Sequence, residues 1–262
     1  MTRTIGIVSG KGGVGKTTFS TNLAIGLTKF NKSVVVIDCN ITTPHLAYYL
    51  GANYFSATLN DVFKGNLDIK FAPAAQNGIL FIAASEDIED MIRSDPEQLK
   101  KHVKKLDKAN RYDFVILDSA PGLGKEALST LAASEEVIFV TTPTIPNLID
   151  VTRCAEAAGK IGGKKFAVAL NMVRYGKYEL KIKEVEEMFG TQMLGVIPFD
   201  DNVLDSAAKG IPILWDNPES PAAQSFMEIT ANLIGEKYQK PKGKFMHQIS
   251  EKLKALKGKF KK

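Results

Sequence analysis

The run Gly10-Lys11-Gly12-Gly13-Val14-Gly15-Lys16-Thr17-Thr18 fits the pattern G-x-x-x-x-G-K-[ST]. An apolar stretch from Thr4 to Ser9 precedes it, and a helical pattern through Phe19, Leu23, Ile25 and Leu27 follows. A strand, a glycine-rich turn and a helix in that order hold polyphosphates. Glycines let the backbone turn sharply and aim N–H groups at phosphate oxygens. The helix start adds its dipole to the same anion site. Residues Lys11 through Thr18 are therefore expected to cradle a nucleotide. The Lys16 ammonium would reach the β and γ phosphates. The Thr17 hydroxyl would join a Mg²⁺ shell completed by water and phosphate oxygens.

Two more strand-like runs end in carboxylates. Val34-Val35-Val36-Ile37 leads into Asp38-Cys39-Asn40, and Phe114-Val115-Ile116-Leu117 leads into Asp118. Beside a phosphate loop such carboxylates serve the metal or a water, so Thr17, Asp38 and Asp118 form the expected metal set. Asn40 carries an amide, which orients a water but cannot take its proton. It also fits as a cap on the turn before Thr42-Thr43-Pro44. The stretch from Ser119 to Gly124 holds proline and glycine and suits a loop that senses the terminal phosphate.

The elements that must place these groups alternate between strand and helix. Strands are expected near 4–9, 33–38, 79–83, 113–118, 136–142, 165–171 and 193–197. Helices are expected near 16–29, 95–108, 124–133, 146–160, 179–189, 201–209 and 221–238. Continuous apolar strands mark burial on both faces. The fold class is therefore α/β, a mostly parallel sheet flanked by helices on both faces, with ligands at the carboxyl ends of the strands. The chain's 262 residues suit one such domain, over residues 1–237. Residues 238–243, with Pro241 and Gly243, read as a linker.

The last segment differs in character. From Lys237 to Lys262 there are ten lysines and one glutamate, a charge of +9, which leaves −4 for the rest of a chain whose net charge is +5. Within residues 244–262, Phe245, Met246, Ile249, Leu253, Leu256 and Phe260 recur at helical spacing and fall within one arc of roughly 100°. Seven of the thirteen remaining residues are lysines. A narrow apolar face opposite a basic one describes a helix lying in an anionic membrane surface. Docking on the protein's own body or on a partner, or contact with nucleic acid, are the alternative readings, and nucleic acid fits the apolar stripe less well.

Hydrophobic residues make up 44% of the chain and charged residues 24%, the balance of an ordinary soluble globule. No apolar run is long enough for a membrane span, and Met1-Thr2-Arg3 leads straight into a strand rather than a signal peptide. Cys39 and Cys154 stand alone, which argues for a reducing compartment and against a cysteine-held metal within one chain. His45, His102 and His247 are far apart and form no ligand set, and Trp215 reads as core or a surface plug.

With its second lysine, Lys11, the loop resembles that of the deviant Walker A ATPases, the superfamily of MinD, ParA and the nitrogenase iron protein. The layout and the tail resemble the MinD type. The resemblance implies several assignments. Lys11 would reach across a dimer interface to the partner's nucleotide, acting with Lys16, Asp38 and position 40 in catalysis. In relatives the second strand ends in D-x-D, the first Asp near Mg²⁺ and the second positioning the attacking water. Asp38 matches and Asn40 departs, so hydrolysis is expected to be slow. Asn171 falls where relatives read adenine, Pro198 and Asp200 fall in a loop that packs against the base, and Asp150 falls at a dimer interface. As residues alone, these positions also fit a strand cap, a turn and a helix N-terminal acid. The implied function is a switch with ATP, ADP and Mg²⁺ as ligands. It would be cytoplasmic and peripheral on the inner face of the cell membrane as an ATP-bound homodimer, and would position cellular machinery with an activating or cargo protein. A ParA-like DNA-partitioning ATPase and a nucleotide-dependent scaffold that hardly hydrolyses ATP are the alternatives.

Deleting residues 241–262 should leave folding and ATP binding intact but abolish sedimentation with anionic liposomes. Unchanged co-sedimentation of the truncated chain would remove the tail from membrane contact.

Overall fold

The computed structural model describes residues 2–162, 164–190 and 193–240. The expected amphipathic segment, residues 244–262, and part of the expected linker lie outside the described residues. In chain order the elements begin with β1 (Arg3–Val8), α1 (Lys16–Lys29), β2 (Val34–Cys39), α2 (Leu46–Tyr49), α3 (Leu59–Phe63), β3 (Ala74–Gln76) and β4 (Ile79–Ile82). Next come α4 (Ile88–Arg93), α5 (Leu99–Ala109), β5 (Phe114–Ser119), α6 (Lys125–Ala133), β6 (Glu136–Thr141) and α7 (Ile145–Gly162). The chain continues through β7 (Lys165–Val173), α8 (Ile182–Phe189), β8 (Met193–Pro198), α9 (Asp201–Ala208), α10 (Ile213–Asp216) and α11 (Pro221–Ile234).

The strands form one sheet in the order β3-β4-β2-β5-β1-β6-β7-β8, parallel throughout except for the β3–β4 pair. The apolar runs become its interior strands. Val34 and Val36 face one side, with Ile5, Ile7 and Ile116, against α1 and α11. Val35 and Ile37 face the other, with Val115 and Leu117, against α3 and α5. Both faces are dry, so a run without polar alternation is what such strands require. Phe19 of α1 meets Phe226 of α11 edge-on, with ring centroids 6.0 Å apart. This contact seats the helix that follows the phosphate loop.

The structure departs from the sequence expectation in three places. A hairpin, β3–β4, adds an antiparallel edge strand that apolar length alone does not mark. Its turn is Asn77-Gly78, with φ of 50° and 76°, and this dipeptide suits the two left-handed positions of a tight hairpin. The short helices α2, α3, α4 and α10 were not expected, because four to six residues are too few for a periodic pattern. The last helix stops at Ile234 instead of continuing to 238, because Gly235 adopts φ 71° and ends it. Residues 235–240 then fold back on α11: the Tyr238 hydroxyl donates to Gln224 Oε1 at 3.1 Å, and Lys240 pairs with Glu228 at 3.0 Å. Trp215 is half-exposed, with the Lys29 ammonium 4.3 Å above its ring, closer to a surface plug than to core.

His102 is 5% exposed on the inner side of α5, beside the Phe63 ring. Neither ring nitrogen has a partner among the described residues. Burial, then Lys105 and Lys101, hold its pKa below the ordinary 6.5, against the opposing pull of Asp68. The unfolded chain thus takes up the proton more readily than the folded one. This contribution is complete above the unfolded pKa, and stability falls as pH drops below 6.5, by at most about 1.4 kcal/mol per unit. His102→Leu should remove that slope. Urea midpoints at about pH 7 and about pH 5.5, compared between the two proteins, test it. Buried carboxylates that titrate in the same window are common to both and cancel in the difference.

Candidate functional site

Parallel strands with crossover helices leave their loops at the carboxyl edge, and β1, β2, β5, β7 and β8 all deliver residues there. A cavity of about 450 Å³ opens at this edge. Gly12, Gly13, Gly15, Lys16, Thr17 and Thr18 line one side, and Asn40, Thr43 and His45 border it. Asn171, Pro198, Phe199 and Asp200 lie on the side away from β2.

The phosphate loop has the local geometry its sequence demands. Gly13 and Gly15 take φ of 78° and 90°, and nothing stands within 4 Å of where a Cβ on Gly12 or Gly13 would be. Gly13, Gly15, Lys16, Thr17 and Thr18 carry backbone N–H groups with no protein acceptor among the described residues. Successive donors left open together at a glycine turn form an anion site. Lys16 is 8% exposed, and its ammonium donates to Ser9 Oγ at 2.9 Å. Burial lowers its pKa, and Asp118 opposes that shift. A polyphosphate would supply the negative charge this ammonium lacks.

The two expected acids come together. Asp38 and Asp118 are paired in register on the adjacent strands β2 and β5, at 1% and 2% exposure. Asp118 accepts from Thr17 Oγ1 at 2.7 Å and from Ser20 Oγ at 2.8 Å. Asp38 accepts from the backbone N–H groups of Asn40, His45 and Leu46 at 3.0–3.1 Å. Burial first, and Asp118 second, raise the Asp38 pKa to about 7, while burial raises that of Asp118 as well. Two such carboxylates facing one lysine leave a deficit of positive charge, and the hydroxyl between them and the cavity is Thr17. The donor set fits Mg²⁺ held directly by Thr17 and through water by the acids.

Asn40 borders the cavity but is already engaged. Its Nδ2 donates to the Thr43 carbonyl at 2.5 Å and to Thr43 Oγ1 at 3.0 Å. The turn-capping reading is therefore realised in this conformation. Across the loop, Glu126 Oε1 accepts from Thr42 N at 3.0 Å and Thr42 Oγ1 at 2.7 Å. This ties the loop after β2 to the start of α6. Neither Glu126 nor Ser9 carries a motif. Ser20 had a usable signal: it sits one helical turn after Thr17, on the same face.

On the side away from β2, Pro198 ends β8 at the cavity wall. Asp200 lines the cavity too, yet its carboxylate caps α9 by accepting from Asn202 N at 3.0 Å, and it holds α11 by accepting from Ala222 N at 3.1 Å. Both oxygens thus serve the helices. The Arg174 guanidinium lies 3.4 Å from the Phe199 ring centroid and backs that wall. Asn171 donates to the Val14 carbonyl at 2.8 Å. Lys11 lies outside the cavity lining; its half-exposed ammonium is 3.5 Å from Asp150 Oδ2 of α7.

A nest of free N–H groups, a buried lysine and a hydroxyl backed by two strand-end acids define a phosphate-loop nucleoside triphosphatase. The chain belongs to the ParA family, described as NUBPL iron-transfer P-loop NTPase, whose model matches residues 1–234. An uncharacterised ATP-binding protein of Methanocaldococcus jannaschii is 37% identical over 236 residues, 90% of this chain and 89% of its own. A septum site-determining protein MinD of Thermotoga maritima is 28% identical over 246 residues, 90% and 89% respectively. The structure of MinD from Pyrococcus horikoshii complexed with Mg-ADP superposes with a TM-score of 0.85 at 31% identity, covering 89% of this chain and 96% of that one. This is a MinD/ParA-type ATPase with a deviant Walker A loop.

Lys16→Ala removes the one buried cation at the loop. ATP affinity measured by calorimetry should fall by roughly a hundredfold or more, since charge-assisted bonds to phosphate are the strongest the site offers.

Proposed function

We propose that the protein is an ATP-dependent dimerising switch. Bound to ATP, two copies would associate through their phosphate loops and sit on an anionic membrane surface, where they position other machinery. Lys11 carries this reading. It is a lysine inside a phosphate loop that does not border its own phosphate cavity, and its side chain is 51% exposed. Its pairing with Asp150 is exposed enough to be worth about 1 kcal/mol or less, so exchanging it for a phosphate on a second copy costs little. A single basic amphipathic helix binds lipid marginally, whereas two on one dimer add through effective concentration. Nucleotide would thereby control membrane residence without touching the helix.

For hydrolysis, Mg²⁺ would neutralise charge that develops on the phosphates. Lys16 and the loop N–H groups would hold the β and γ phosphates, and Asn40, a polar side chain of the cavity wall, would orient a water. Bonded to Thr43 and without a basic oxygen, it would do so weakly, so turnover should be slow and the ATP dimer long-lived. The iron-transfer role in the family description finds less support. Cys39 and Cys154 are buried in separate elements, and burial raises both thiols, Cys154 to about 11. A second reading, contact with nucleic acid, is favoured by Lys100, Lys101, Lys104, Lys105 and Lys108 spread over one face of α5.

Lys11→Ala should bind ATP yet remain monomeric by light scattering with ATP and Mg²⁺. A normal ATP-dependent dimer would end the trans-acting role. Asn40→Asp should raise phosphate release by about 10²-fold or more and shorten residence on liposomes. An unchanged rate would place the slow step elsewhere. Parallel sedimentation with DNA tells the second reading from the first.

A further inference from the structure

We infer that Asn171 is a positioning residue of the phosphate loop itself, setting the peptide plane that presents the Gly15 N–H to phosphate. The inference rests on the nucleotide-site reading above and goes beyond any contact of Asn171 with a base.

Asn171 lies where β7 runs past the end of β6 but still pairs with β8. The last β6 partner, Thr141, faces Leu170, and the β7–β8 register shifts between Leu170 and Val173. Asn171 and Met172 fill that irregularity, and Met172 adopts φ 57°. A left-handed non-glycine residue costs about 1 kcal/mol or more and persists only where its surroundings require it. The result is an Asn side chain, 5% exposed, pressed against a loop 157 residues earlier.

Its Nδ2 donates to the Val14 carbonyl at 2.8 Å. That carbonyl and the Gly15 N–H belong to one planar peptide group, and no cis peptide occurs among the described residues. In a trans peptide the two bonds point in opposite directions. Anchoring the Val14 oxygen on Asn171 therefore fixes the opposite heading of the Gly15 N–H, one of the donors left without a protein acceptor. The fit is close: a Cβ on Gly15 would stand 2.3 Å from Asn171 Nδ2. Gly15 is thus required by the neighbouring amide as well as by its φ of 90°. Asn171 Oδ1 has no protein donor among the described residues and stays available to a ligand. One side chain would then hold the loop with its nitrogen and address the base with its oxygen.

A ligand without a base separates the two roles. Asn171→Ala in the full chain would be titrated with Mg-ATP and with Mg-tripolyphosphate. Tripolyphosphate affinity should fall by about fivefold to tenfold, the worth of one buried hydrogen bond, and ATP affinity by at least as much. Loss of ATP affinity with tripolyphosphate binding unchanged would reduce Asn171 to a base contact and overturn the inference, as would no change in either. If the unaltered chain binds neither ligand, the nucleotide-site reading fails first. Thermal unfolding without ligand checks that the variant folds. Should it not, Asn171→Ser supports the same two-ligand comparison.

Discussion

Two carboxylates stand side by side at the ends of adjacent parallel strands, out of water, and much of the site is arranged to tolerate them. Asp38 and Asp118 meet because β2 and β5 are neighbours at the middle of the sheet. In low dielectric, each raises the cost of ionising the other. Asp38 is stabilised by three backbone N–H groups of its own loop, so its carboxylate also determines how that loop leaves the strand. Asp118 is stabilised by two hydroxyls of α1, which pins the helix that begins at the phosphate loop. The acids thus bind loop, helix and strands into one unit, and their unbalanced charge is what a divalent cation would relieve.

The parts of this arrangement that were legible in the sequence are those whose chemistry is local. Gly13 and Gly15 are needed by φ, Lys16 and Thr17 by reach, and the interior strands by burial on both faces. Each leaves a signature within a few residues. The β3–β4 hairpin had such a signature as well, in Asn77-Gly78, but three-residue strands are too short to show a period around it. What could not be read is long-range. That Asp200 spends both oxygens on helix starts follows from where α11 lands. That Asn171 faces Val14 follows from a bulge that only pairing with β8 creates. Asn40 lies between these cases. The loss of the carboxylate is plain in the sequence, but the bonds to Thr43 that occupy its amide are a property of the folded turn.

The two ends of the nucleotide cavity are built differently. The phosphate loop is made of backbone and of side chains within ten residues of one another, and the acids behind it, Asp38 and Asp118, come from two other strands. The opposite end is assembled from β7, β8 and α9, with β8 packed against α11. Asn171 is the residue at which these two constructions touch.

Glu126 joins Thr42, next to the cavity residue Thr43, so the loop after β2 and the start of α6 share a fastening. Two untethered loops would answer a ligand separately and spend time in mixed arrangements, one closed and one open. Fastened, they must travel together or break the carboxylate's two bonds. An event at either loop would then be felt at the other, and split arrangements would cost the two bonds. The clamp makes the rim of the cavity behave more like a latch than like a dial.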